Sequence, residues 1–125
     1  MREDFSKAAA EGMRAAVSAT RDIDEIDGVV RDLCNAVDHC TNGRVRVERI
    51  TGDCGRLTAN DFPLCKFREA PNGYPVSIEY PGCFDNASDR EGLVTALRDL
   101  LASPRVGRFF NEVLGEPPPA GGVDE

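Results

Sequence analysis

Three short runs in the middle of the chain alternate polar and apolar residues: Arg44-Val45-Arg46-Val47-Glu48, Cys65-Lys66-Phe67-Arg68 and Val76-Ser77-Ile78-Glu79-Tyr80. Successive side chains of a strand point to opposite faces of a sheet, so each run divides into an apolar set and a charged set. The pattern predicts three strands of one sheet. Val45, Val47, Cys65, Phe67, Val76, Ile78 and Tyr80 form its apolar face, and Arg44, Arg46, Lys66 and Arg68 face solvent with Glu48 and Glu79. The apolar face needs a cover, and the segments on either side have helical spacing.

Residues 3–19 read as one helix, with Phe5, Ala9, Met13, Ala16 and Val17 on one side and Ala8, Gly12, Ala15 and Ala19 keeping much of the rest small. A second helix is expected over 22–41, where Ile23, Ile26, Val29, Val30, Leu33, Cys34, Val37 and Cys40 form an apolar stripe. Asp22 with Glu25 three residues later reads as its start, and Asn42-Gly43 as its stop. The stretch from Thr51 to Pro63 is long for a hairpin loop and leaves room for a short extra strand near Arg56-Leu57-Thr58. Ala70-Pro71-Asn72-Gly73 signals a tight hairpin. Near the end, Ser88-Asp89-Arg90-Glu91 resembles a capping box with Ser88 as cap, followed by Leu93, Val94, Leu97, Leu100 and Leu101. Ser103-Pro104 then opens a last helix that ends at Gly115.

The expected fold is therefore α+β: two N-terminal helices, a three-stranded antiparallel meander, and two C-terminal helices packed on one sheet face. Residues 1–115 make a single α+β domain, and residues 116–125 a disordered Pro/Gly-rich acidic tail. In its order of elements the chain resembles secretion chaperones and small phage or bacterial inhibitor and immunity proteins.

Charge adds a polarity to this picture. The net charge of −7 argues against general nucleic-acid binding. Residues 1–41 carry 5 basic and 9 acidic side chains, residues 42–81 carry 6 and 5, and residues 82–125 carry 4 and 8, so acidic helices flank a mildly basic sheet. Only Lys7 and Lys66 are lysines among 15 basic residues, a composition suggesting a GC-rich bacterial or phage genome. The start of the chain has no apolar signal region, and no run approaches the roughly 20 apolar residues of a membrane span, so a cytoplasmic location and no membrane partner are expected.

Five cysteines and His39 are the conspicuous chemical groups. An odd number of thiols without a secretion signal argues for reduced cysteines. Cys34 and Cys65 fall on apolar faces and read as core residues. Cys54 and Cys83 lie in turns, but no closely spaced pair suits zinc, and His39 next to Cys40 on a helix does not face it. Asn86-Ala87-Ser88 matches a glycosylation sequon but reads as a helix cap. No phosphate loop, dinucleotide fingerprint or serine nucleophile elbow is present. No catalytic residue, metal or cofactor is therefore expected.

The leading expectation is a non-enzymatic acidic binding protein that occludes a surface of a macromolecular partner, most plausibly a protein. It would act as an inhibitor, immunity, counter-defence or chaperone-like module. Its candidate binding residues are Arg44, Arg46, Arg56, Lys66 and Arg68, because arginines on rigid strands lose little freedom on binding. Two alternatives are a small-ligand or nucleotide site on the same arginine-rich face and an acidic mimic of nucleic acid on the helices. The small-residue face of residues 3–19 predicts a homodimer contact.

Overall fold

The computed structural model describes residues 2–52 and 55–115. The chain forms α1 (Arg2–Cys40), β1 (Val47–Ile50), β2 (Arg56–Ala59), β3 (Phe62–Ala70), β4 (Gly73–Tyr80), β5 (Cys83–Ala87), α2 (Arg90–Leu101) and α3 (Pro104–Leu114). The architecture is α+β, with the five strands in the order β1-β2-β3-β4-β5, every neighbour antiparallel.

This corrects two expectations. The two N-terminal helices are one helix of 39 residues, and the three-stranded meander has five strands. The helix does not break at Asp22, because nothing between Ala19 and Ile23 stops the backbone ladder. Asp22 and Glu25 instead serve the neighbouring hairpin: Asp22 lies against Gly73, and Glu25 accepts a 2.7 Å hydrogen bond from Tyr74 Oη. The long 51–63 connection contains β2, and a fifth strand follows the Pro81-Gly82 turn.

Helix α1 does two jobs along its length. Its C-terminal half seats Ile26, Val29, Val30, Leu33 and Val37 in the core, against β1 and β4. Its N-terminal half leaves the sheet behind. From Asp4 to Arg21 every side chain is exposed except the half-buried Ala10 and Ala19. At 1.5 Å per residue the whole helix is about 58 Å long, and roughly half of it stands clear of the domain.

The exit from α1 is closed by a buried hydroxyl. Thr41 Oγ1 donates to the Val37 carbonyl at 2.7 Å and accepts from the Val45 amide at 3.1 Å, so a polar group in the core has both functions satisfied. Asn42 and Gly43 follow in the left-handed region, as the sequence predicts. The sheet begins at Val47, later than expected. Arg44 and Arg46 precede it, held by Asn60, whose Nδ2 donates to the Arg44 carbonyl and whose Oδ1 accepts from the Arg46 amide. Asn60 and Asp61, both with positive φ, make the two-residue β2–β3 turn.

Helix α2 covers β5 and packs on α1 with Leu93, Ala96, Leu97 and Leu100. Its cap is Asp89, which accepts from the Gly92 amide at 2.8 Å, not Ser88. Helix α3 starts at the Ser103 cap, ends at left-handed Gly115, and stacks Phe109 on Phe62 with centroids 4.2 Å apart. Helices α1 and α2 pack on the sheet, while α3 packs on α2 and meets the start of β3. The expected tail over 116–125 and the loop cysteine Cys54 lie outside the described residues.

Candidate functional site

The face of the sheet turned away from the core carries one row of side chains that crosses all five strands. Ile50 pairs with Arg56, Arg56 with Lys66, Lys66 with Glu79, and Glu79 with Phe84. Directly opposed residues of antiparallel strands share a face, and all five of these are exposed. The row is charged in the middle and apolar at both ends, with Phe84 64% exposed. Arg68 lies on the same face two residues beyond Lys66, opposite Ser77.

Beside this row opens a cleft of about 800 Å³. Its walls are the start of β3 at Pro63 and Leu64, the β4–β5 turn at Pro81 and Gly82, and the side chain of Arg105 from α3. β3 is bulged where it borders the cleft. The register runs from Leu57↔Cys65 to Thr58↔Pro63, so Leu64 is an extra residue on β3. Arg105 reaches across to the bulge, donating through Nη1 to the Pro63 carbonyl at 2.9 Å and through Nη2 to the Leu64 carbonyl. Its guanidinium also lies over the rings of Phe62 and Tyr80, at 5.2 and 5.9 Å.

Among the titratable groups that line this cleft, Cys65 and Tyr80 are displaced from their ordinary values. Burial pushes the Cys65 thiol up to about 12, despite the opposing pull of the Leu57 backbone and Arg105. Hydrogen bonding to Cys83 together with burial raises Tyr80 to about 12. Both therefore meet the cleft as neutral groups at ordinary pH, and Cys65 presents a thiol rather than a nucleophilic thiolate.

The sequence-predicted binding residues do not form one patch. Arg56, Lys66 and Arg68 share the outer face. Arg46 is exposed at its border, before β1. Arg44 leaves the group: its Nη1 donates to the Leu114 carbonyl at 3.2 Å, where a cation meets the negative end of α3. Ile50, Phe84 and Arg105 are additions that the alternation of the three predicted strands did not reach. A signal for Phe84 exists in the chain, since Cys83, Asp85 and Ala87 alternate with Phe84 and Asn86 directly after a Pro-Gly turn.

Away from this face, Arg49 lies on the core side of β1, between Asp27 of α1 and Glu69 of β3, with its guanidinium 5.1 Å from the Phe67 ring centroid. Cys34 is half-buried and donates its thiol to the Val47 carbonyl, and Cys65 is buried, so both take the packing role expected of them. No group of three or more metal-ligating side chains occurs among the described residues, and none of their helices is long and apolar enough to cross a membrane.

No family profile, curated protein or solved structure matches this chain.

Proposed function

We propose that the protein is a non-enzymatic binding module that docks the outer face of its sheet on a partner protein and occludes that partner's surface. The observation that carries this reading is the exposed row Ile50, Arg56, Lys66, Glu79 and Phe84. Aromatic and arginine side chains are the commonest interface anchors, and here they stand on paired strands that hold them in place before binding. The adjoining apolar cleft gives a partner side chain somewhere to insert.

The neutral thiol of Cys65 favours binding over nucleophilic chemistry. The small-ligand alternative loses Arg44 to the Leu114 carbonyl, and the acidic-mimic alternative loses Asp27, which is engaged by Arg49. An inhibitor, immunity, counter-defence or chaperone-like role is consistent with a small module of this kind.

The test compares the tagged full chain with two variants, Lys66→Glu/Arg68→Glu and Phe84→Ala, in pull-downs from the native host. All the changed side chains are exposed, so melting temperatures are expected to stay unchanged while a specific protein band captured by the wild type is lost. A band retained by both variants, and lost instead when Asp24, Asp32 and Asp38 are neutralised, overturns the reading in favour of the acidic face.

A further inference from the structure

The N-terminal half of α1 is an amphipathic helix with nothing of its own chain to pack on. Phe5, Ala9, Gly12, Ala16, Ala19 and Ile23 recur at spacings of four and three residues, and the same rhythm continues through Ile26, Val30, Leu33 and Val37. The last four are buried in the core. The first five continue the same seam, exposed except at the half-buried Ala19. Met13 borders it on one side and Ala8 and Ala15 on the other, Val17 and Asp4 lie farther round on the two flanks, and Lys7, Glu11, Arg14 and Arg21 occupy the opposite side of the helix. Phe5, Met13 and Val17 are 69%, 67% and 61% exposed, three of the five large apolar side chains that the described structure leaves in solvent.

A single amphipathic helix of this length is marginal in water, because most helical stability in proteins comes from packing the apolar side. What covers this one is indicated by its own symmetry. We propose that two copies of the chain associate by pairing residues 5–19 of α1 antiparallel, with the two-fold axis at Gly12. In that register Phe5 of each copy lies against Ala19 of the other, large against small. Ala9 meets Ala15 and Ala16, and the two Met13 side chains close over the axis. Gly12 has no atom of its own chain near the place a Cβ would occupy, and the two backbones approach most closely there.

The parallel alternative fails on two counts. It sets Phe5 on Phe5, and it brings both domains to one end, where each seam is already occupied by its own sheet. Antiparallel pairing instead puts the domains at opposite ends of the paired segment. Four large apolar side chains, Phe5 and Met13 of each copy, and their alanine neighbours pair over about 21 Å of helix, an interface at the small end of specific contacts. The contact uses no residue of the outer sheet face, so the dimer presents two copies of the proposed docking surface.

Sedimentation equilibrium of the full chain at tens of micromolar is expected to show a dimer. Gly12→Leu, at an exposed position where a Cβ has open space, is expected to weaken association at least tenfold while the domain's melting transition stays unchanged. Register is read in a chain with Cys40, Cys54 and Cys83 changed to Ser. There Gly12→Cys is expected to form an interchain disulfide on mild oxidation, and Phe5→Cys to form one only when mixed with Ala19→Cys. A monomer at these concentrations overturns the proposal, whether or not another protein is found on the arm. So does a dimer indifferent to Gly12→Leu. Phe5→Cys cross-linking to itself as readily as Gly12→Cys overturns the antiparallel register.

Discussion

Arg49 of β1 donates a 2.7 Å hydrogen bond to Asp27 of α1, and this contact ties the long helix to the sheet near the start of its buried half. The same guanidinium is paired with Glu69, and the Arg49 and Glu69 side chains are only 19% and 18% exposed. A charge held at that depth is tolerable only with its partner present. Arg49→Ala is therefore expected to cost about 2 kcal/mol in urea unfolding, in the range for lost hydrogen bonds to charged groups. Arg49→Lys is expected to restore only part of this, because an ammonium cannot span both carboxylates as the planar fork does. A loss below half a kcal/mol for Arg49→Ala would show the cluster to be inert.

Arg105 invites a second measurement. It donates to the carbonyls of Pro63 and Leu64 at the β3 bulge. Replacing it with Leu keeps apolar contact with Phe62 and Tyr80 but strands two carbonyls, one of them beside a fully buried residue, Leu64. The expected cost is about 2 kcal/mol, measured by denaturant unfolding, and amide exchange should quicken at Phe62 and Leu64 ahead of β4. Unaltered exchange at these positions would mean that the bulge is held by strand pairing alone.

Gly73 tests how closely the β3–β4 hairpin approaches α1. Its φ is +106°, and a Cβ there would lie 2.8 Å from Asp22 Cβ. Gly82 in the next turn has a φ of +83° with open space around it. Gly82→Ala should show the conformational cost alone, about 1 kcal/mol, while Gly73→Ala should add the clash with the helix and reach about 3 kcal/mol. Equal losses in paired thermal melts would show that α1 yields at Asp22.

The strands that cross the middle of the sheet were legible because each alternates cleanly and is half-buried: Phe67 and Ile78 inward, Lys66 and Glu79 outward. Helix α3 and the end of α1 were legible from their stops, Gly115 and Asn42-Gly43, all three of which take left-handed backbone in the fold. The continuity of α1 was hidden by Asp22 and Glu25, which mimic a helix start but are used against Gly73 and Tyr74, a tertiary contact that no local pattern announces. β5 was hidden because Asp85 and Asn86 are poor strand formers, and pairing with β4 overrides that preference. The outer-face row depended on β5 for Phe84 and on the β1–β2 register for Ile50, so only its centre, Lys66 and Glu79, could be read as paired strand positions before the fold was known.

The last prediction concerns alkaline pH. Burial holds the Cys65 thiol up to about 12 against an ordinary value of 9.0. The native state therefore keeps this proton where the unfolded chain releases it. Stability from this group is complete below pH 9 and falls as pH rises toward 12, with a slope approaching about 1.4 kcal/mol per pH unit between those limits. Tyr80, raised to about 12 by its hydrogen bond to Cys83 and by burial, acts in the same direction but only above pH 10. Cys34 and Tyr74 are raised as well, chiefly by desolvation, and add to the same decline. Cys65→Ala separates the contributions. It lowers stability at every pH by leaving a small cavity, yet between pH 9 and 10 its unfolding free energy should fall less steeply than that of the wild type. Above pH 10 the two curves should both steepen as the tyrosines begin to titrate in the unfolded chain. Parallel curves from pH 8 to 10 would mean that Cys65 ionises in the folded protein as freely as in the unfolded one, and that its side of the cleft is open to water.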